Sequence, residues 1–171
     1  HDVAGVGHWC LSVLDRYSSY LVAVLLKSHS PDELFDAYER AWSSWAGPPD
    51  ILTVDLERGF GASFAERVGQ SGCLIRSVAG QANWQNGKVE RHQQTLKQSI
   101  KRTITHGGQK GESEIRTVLS ECCAAKNTLM REYRFSPGQL VFGSEPRLFG
   151  DITSGGHHYA NPIATKVTRP Y

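Results

Sequence analysis

Apolar positions first gather in two short runs, Trp9 to Asp15 and Leu21 to Leu26, separated by the connector Arg16-Tyr17-Ser18-Ser19-Tyr20. Two such runs with a short link predict an antiparallel hairpin. Asp2-Val3 reads as part of a preceding strand whose turn carries Gly5 and Gly7, giving three antiparallel strands in a meander. Ser30-Pro31-Asp32-Glu33 predicts a helix start: Ser30 caps, Pro31 suits the first helical position, and Glu33 completes a capping box. Leu34, Tyr38, Ala41, Trp42 and Trp45 then recur at three- and four-residue spacing as one apolar face, and Gly47-Pro48-Pro49 ends the helix. Ile51 to Val54 is a short, fully apolar strand of the kind buried in a sheet covered on both faces.

Beyond it, Ser63 to Val68 predicts a short helix with Phe64 and Val68 on one side, and Cys73-Leu74-Ile75 a fifth strand. Ala79 to Asn86 reads as a loop. A long helix is expected from near Gly87 to about Thr105, with Val89, Leu96, Ile100 and Ile104 as its apolar stripe. Glu90, Gln94, Lys97 and Lys101 fall on another side, within roughly 60° of one another on a helical wheel. A last helix places Ile115, Val118, Leu119, Cys122, Ala125, Leu129 and Tyr133 at periodic positions, and Ser136-Pro137-Gly138 is expected to break it. From Phe149 onward no period survives. The order of elements predicts an α/β fold: a five-stranded mixed sheet, three antiparallel strands then two parallel, flanked by helices. Residues 1–150 form its core, and 151–171 an irregular tail.

Composition narrows the picture only a little. A chain of 171 residues that is 39% hydrophobic and 21% charged can bury a core. The net charge of +2 does not itself call for a nucleic-acid partner, so local clustering must carry that argument. No apolar run approaches the ~20 residues of a membrane span. Cys10, Cys73, Cys122 and Cys123 show neither metal-site spacing nor a disulfide framework and read as small buried hydrophobes. The chain opens in what reads as mid-sequence, a fragment of something longer.

The candidate chemistry lies in separated acids. Asp55 directly follows the apolar strand, Glu90 opens the long helix, and Asp2 lies on the first strand, which in this order can sit beside the fourth. Carboxylates that converge from distant positions can hold hard divalent cations, and two such ions can promote phosphodiester chemistry. Blander readings compete. Asp55 can be a turn former, Glu90 a first-turn acid stabilised by the helix dipole, and Asp2 a solvated terminal residue. Asp15 rivals Asp2 as the third acid because it too ends a strand. His92 reads as polar surface, and Lys88, Arg91, Lys97, Lys101 and Arg102 as a solvated helix face.

A family resemblance weighs against those readings. TVDLERGFGASFAE and WQNGKVERHQQTLK, with Asp55 and Glu90 35 positions apart, resemble the catalytic core of retroviral and retrotransposon integrases. DRYSSYLVAVLL, WAGPPDILTVD and AKNTLMREYRFSPGQLVFGSEPRL are similar to further segments of that core, so the resemblance covers roughly residues 1–150. It implies a ribonuclease H-like fold with Asp2, Asp55 and Glu90 as the catalytic, metal-holding acids, and Asp15 as a non-catalytic hairpin residue. It implies two Mg²⁺ or Mn²⁺ ions, 3′-end processing and strand transfer on retroelement DNA. Lys97 would meet a phosphate and Gln94 a base or sugar, with Lys88, Arg91, Lys101, Asn86 and Gln85 completing the DNA surface. Trp84 would sit in a mobile loop ending at Asn86-Gly87. The expected partners are retroelement ends, target DNA and further copies of the chain, with no membrane, and the expected setting is the nucleus, as part of a larger polyprotein. A catalytically dead DNA- or protein-binding core and a ribonuclease H-like nuclease stay open beside that reading.

Overall fold

The computed structural model describes residues 8–54, 61–77, 83–108, 111–131 and 134–144, with side chains in the long helix described from residue 87 onward. The expected first strand at Asp2-Val3 and the tail lie outside those residues. Strands β1 (Trp9–Leu14) and β2 (Leu21–Leu26) pair antiparallel, with Leu14 opposite Leu21 and Trp9 opposite Leu26. Helix α1 (Pro31–Tyr38) continues through a π-helical stretch, Glu39–Ser43, into a last turn, α2 (Ser44–Ala46). Strand β3 (Ile51–Val54), helix α3 (Ala62–Gly69) and strand β4 (Leu74–Ser77) form a βαβ unit in which β3 and β4 run parallel. Helices α4 (Asn83–Gly107), α5 (Glu112–Leu129) and α6 (Pro137–Phe142) complete the described chain.

The expected single five-stranded sheet is not what the described residues contain. They hold two two-stranded sheets, β1–β2 antiparallel and β3–β4 parallel. The senses of pairing are as expected, and the strand read as lying beside the fourth belongs to the residues outside the description. Packing nonetheless ties the two pairs together. One core cluster joins Leu11 of β1 and Val54 of β3 to Leu34, Ala37 and Tyr38 of α1 and Phe64 and Val68 of α3. A second joins Leu21 and Ala23 of β2 to Leu96 and Ile100 of α4 and Ile115, Val118, Leu119, Cys122 and Cys123 of α5. Alternation along the hairpin feeds both: Leu11 and Val13 face the first cluster, Cys10 and Leu14 the second. Helices therefore cover both faces of the hairpin, as the apolar composition of its strands requires.

The turn between β1 and β2 is built by polar atoms. The Asp15 carboxylate accepts from the Ser18 N–H at 2.9 Å, the Tyr17 N–H at 3.3 Å and the Ser18 hydroxyl. Ser19 takes a positive φ of 61°, and the Asp15 N–H donates to the Tyr20 carbonyl at 2.9 Å. In an antiparallel ladder the next pair, Leu14 and Leu21, then turns its backbone groups outward. Asn127 meets them there: its Oδ1 accepts from the Leu21 N–H at 2.9 Å, and its Nδ2 donates to the Leu21 carbonyl at 2.8 Å. Lys126, also buried, donates from Nζ to the Ser19 carbonyl at 2.9 Å. Two adjacent side chains of α5 thus serve as a substitute strand for the start of β2.

Several expectations shift. The Ser30 cap is present, accepting from the Glu33 N–H at 3.2 Å, but Glu33 accepts from the Lys27 N–H and from Arg40 and does not return to Ser30. The last helix stops at Leu129, which is 69% exposed, because Met130 is extended. Tyr133 lies outside the described residues. Ser136-Pro137-Gly138 starts a helix, where the sequence reading had it only ending one: Ser136 and Gln139 form a capping box with bonds of 3.1 and 2.9 Å. The cysteines match expectation: none is in a disulfide, Cys73, Cys122 and Cys123 are buried, and Cys10 is partly buried.

Two predictions follow from this packing. Replacing Asn127 with Ala leaves two buried backbone groups of Leu21 unmet and should cost about 2–4 kcal/mol in urea denaturation; a loss near zero would show the clamp to be dispensable. The Tyr38 hydroxyl is buried with no hydrogen-bond partner among the described residues. Burial, then the neighbouring Cys73 and Glu39, push it up from 10.0 to about 12. The unfolded chain therefore gives up that proton first, and the stability tied to this group is full below pH 10 and is lost as pH rises toward 12. Tyr38→Phe should match or exceed the parent at pH 7, by up to about 1 kcal/mol, with the gap widening at pH 11. A variant clearly weaker at pH 7 would contradict the account.

Candidate functional site

The parallel pair sets one side of the candidate site. Val54 and Ser77 are partners at the C-terminal ends of β3 and β4, so both strands finish at the same edge. Asp55 is the next residue in the chain after Val54. Asp55 and Asp2 both lie outside the described residues, as do Glu57 and residues 79–82 of the expected loop.

Helix α4 sets the other side, and it differs from expectation at its start. It begins at Asn83, so Asn83, Trp84, Gln85, Asn86 and Gly87 are helical where a loop reaching Asn86 was expected. The side chains of Trp84, Gln85 and Asn86 lie outside the description. Gly87 stands within the helix and takes no special backbone angle. Glu90 consequently lies about two turns in, beyond the first turn where the helix dipole stabilises acids. That removes the blander reading of Glu90 as a first-turn acid. Its side chain is exposed and makes no hydrogen bond or ion pair among the described residues. An exposed carboxylate is a hard oxygen donor of the kind divalent cations take. Among the described residues no group of three or more His, Cys, Asp or Glu could hold a metal ion. Glu90 is thus the one member of the expected set whose surroundings are described.

Around Glu90 the helix is anchored to the hairpin at successive points. Lys88 Nζ donates to the Arg16 carbonyl at 2.9 Å. Gln93 Nε2 donates to Ser12 Oγ at 2.9 Å. As α4 advances from 88 to 93 its partners retreat from 16 to 12, so the helix runs antiparallel to β1. Leu96 and Ile100 are buried beneath it. His92 is buried too, only 4% exposed, which corrects its reading as polar surface.

The remaining expected contacts sort by exposure. Arg91, Gln94, Lys97 and Lys101 are exposed, as is Arg102, giving one long helix a polar, cationic outer face beyond Glu90. Lys88 differs because its ammonium is engaged with the hairpin turn. Asp15 is fully used in building that turn, which agrees with its non-catalytic assignment. Sequence reasoning did not find Gln93 and Ser12. The available signal was a glutamine on the side of the apolar stripe, four residues after Val89 and three before Leu96.

No protein-family model and no curated protein matches the sequence. Solved structures do. A chain in the cryo-EM structure of the simian T-cell lymphotropic virus intasome in complex with PP2A regulatory subunit B56 gamma matches with a TM-score of 0.70 and 16% identity, over 82% of this chain and 51% of that one. The crystal structure of the catalytic core domain of BIV integrase matches with a TM-score of 0.65 and 15% identity, over 81% of this chain and 88% of that one. The present chain spans about half the length of the first and most of the second. The fold is that of retroviral integrase catalytic cores, which bears out the resemblance seen in the sequence at the level of architecture.

Proposed function

We propose that this chain is the core of a DNA integrase, a polynucleotidyl transferase that trims 3′ ends and joins them to target DNA. The observation that carries the reading is Glu90: an exposed carboxylate without a protein partner, on a helix anchored across the sheet of an integrase-like fold. Asp55, next in the chain after the parallel strand β3, and Asp2 are the acids assigned to share its site. Fold alone does not decide chemistry, so the assignment rests on these residues and on the sequence motifs around them.

The reaction is phosphodiester transfer. A water or a 3′-hydroxyl forms the new bond to phosphorus, and the 3′-oxygen of the broken strand leaves. Two Mg²⁺ or Mn²⁺ ions bound to the three acids would supply Lewis-acid stabilisation to the attacking and leaving oxygens. The chain's own part is to hold those acids in place and to orient the DNA. Lys97 and Lys101 would take phosphates, with Arg91 and Gln94 beside them, while Asn86 and Gln85 belong to the same surface by resemblance. Such contacts position DNA without reading its sequence, which suits insertion at many sites. Lys88 serves this surface by holding the helix on the hairpin as well as by its charge. The same reading places the protein on retroelement and target DNA in the nucleus, as part of a larger polyprotein and in a homodimer or higher assembly. The likeness to a chain of a viral intasome supports the DNA and assembly parts of that reading.

Asp55→Asn and Glu90→Gln should each abolish Mn²⁺-dependent strand transfer while leaving the circular dichroism spectrum unchanged. Normal joining by either purified variant would remove that acid from the site. Cleavage without joining by the parent protein would favour a nuclease of the same fold. Charge removal on the outer face has a different signature. Lys97→Ala and Lys101→Ala should weaken duplex binding for all sequences alike and each lower the salt slope by about one. An unchanged slope in both would take α4's outer face out of the DNA surface.

A further inference from the structure

Within the integrase reading, one pair of neutral side chains stands where the position of Glu90 is decided. Gln93 and Ser12 bond at 2.9 Å in a half-buried site, and neither makes any other side-chain bond among the described residues. Ser12 lies midway along β1, opposite Ala23, on the face that Cys10 and Leu14 turn toward α4 and α5. Its hydroxyl is a polar point within an apolar strip. Apolar contacts such as Leu96 on Leu21 are non-directional and tolerate small sliding and rotation of a helix. A directed bond does not. Lys88, two residues before Glu90, provides a second fixed point through the Arg16 carbonyl. It is long and flexible and sits at the outer end of the hairpin, so it sets the tilt of the helix less sharply than Gln93 does.

On the helix Gln93 is one turn from Glu90, within roughly 60° around the axis. Rotation of α4 that broke the Gln93 bond would swing Glu90 by the same angle. At about 2.0–2.1 Å, Mg²⁺ coordination tolerates little displacement of an oxygen ligand. We propose that the Gln93–Ser12 hydrogen bond is a positioning device that fixes the rotation and height of α4 on β1 and so presents the Glu90 carboxylate to the divalent cations. Gln93 and Ser12 are positioning residues: neither is placed to touch DNA or metal.

The test uses Ser12→Ala, Gln93→Leu, the double variant, and Ser12→Thr, which keeps the hydroxyl. Two readouts are taken on each: amide hydrogen exchange along α4, and Mn²⁺ affinity by calorimetric titration. Each of the first two variants should speed exchange about fivefold at residues 88–94, the change expected for one hydrogen bond, and leave residues 100–105 unchanged. Mn²⁺ dissociation constants should rise severalfold in both. The double variant should be no worse than either single, because the two changes remove one shared bond. Ser12→Thr should behave as the parent. Unchanged exchange at 88–94, or faster exchange with parental Mn²⁺ affinity, would overturn the proposal. Glu90→Gln is the control for the reading beneath it. Parental Mn²⁺ affinity in that variant would show that Glu90 is not a ligand, and the positioning role would fall with it. Weakened affinity in Glu90→Gln alone would sink only the role of Gln93 and Ser12.

Discussion

The hairpin β1–β2 has to be buried on both faces, and that requirement shapes the rest of the molecule. Its strands are apolar at nearly every position, so each face needs a helical cover. Helix α1 covers one face and α4 with α5 the other. Burial on this scale leaves backbone groups at the hairpin's turn and outer edge without water. Asp15, Lys126 and Asn127 supply the replacements, one from within the turn and two from α5, more than 100 residues away in the chain. An unmet pair of buried backbone groups costs more than most single side-chain contacts return. The Lys-Asn pair on α5 is therefore a structural requirement of the fold.

That same hairpin is the platform for the candidate site. Helix α4 crosses it on apolar contacts, which supply attachment, and on two directed bonds, which supply orientation. Because the helix begins at Asn83 and not at Gly87, Glu90 is carried on rigid helix with complete turns on either side of it. The backbone beneath that carboxylate is therefore ordered before a ligand binds, and only the side chain remains to be fixed. The cationic outer face then follows from helical geometry alone, since residues at three- and four-residue spacing share a side. The site reading thus unites a supported acid with a charged surface on one element.

Much of this was legible in the sequence, and the gaps have physical causes. The hairpin, the βαβ unit and the long helix all follow from apolar period, since burial of one face leaves a strong signal. The start of α4 was missed because Asn83, Asn86 and Gly87 are weak helix formers, and here they are carried along by the long helix that follows. The π-helical stretch at Glu39–Ser43 changes spacing by one residue within a single helix, too short a shift for a period to register. His92 was misread because a polar residue between two apolar turns looks exposed until the partner layer is present. Helix α6 was missed because Ser-Pro-Gly reads both as an end and as a cap. The Gln93–Ser12 bond was invisible for a different reason: it pairs residues far apart in sequence, and nothing local in either marks the other. Of the three acids, Glu90 could be set in its surroundings, and it proved neither a dipole-stabilised first-turn acid nor a member of an ion pair.

The central claim is that Asp2, Asp55 and Glu90 meet around divalent metal. Anomalous diffraction from crystals soaked in Mn²⁺ tests it most directly. The account predicts two peaks about 3.5–4 Å apart, bridged by these carboxylates with Glu90 contributing an oxygen. Full-occupancy Mn²⁺ elsewhere on the protein, with none within coordinating distance of Glu90, would contradict it.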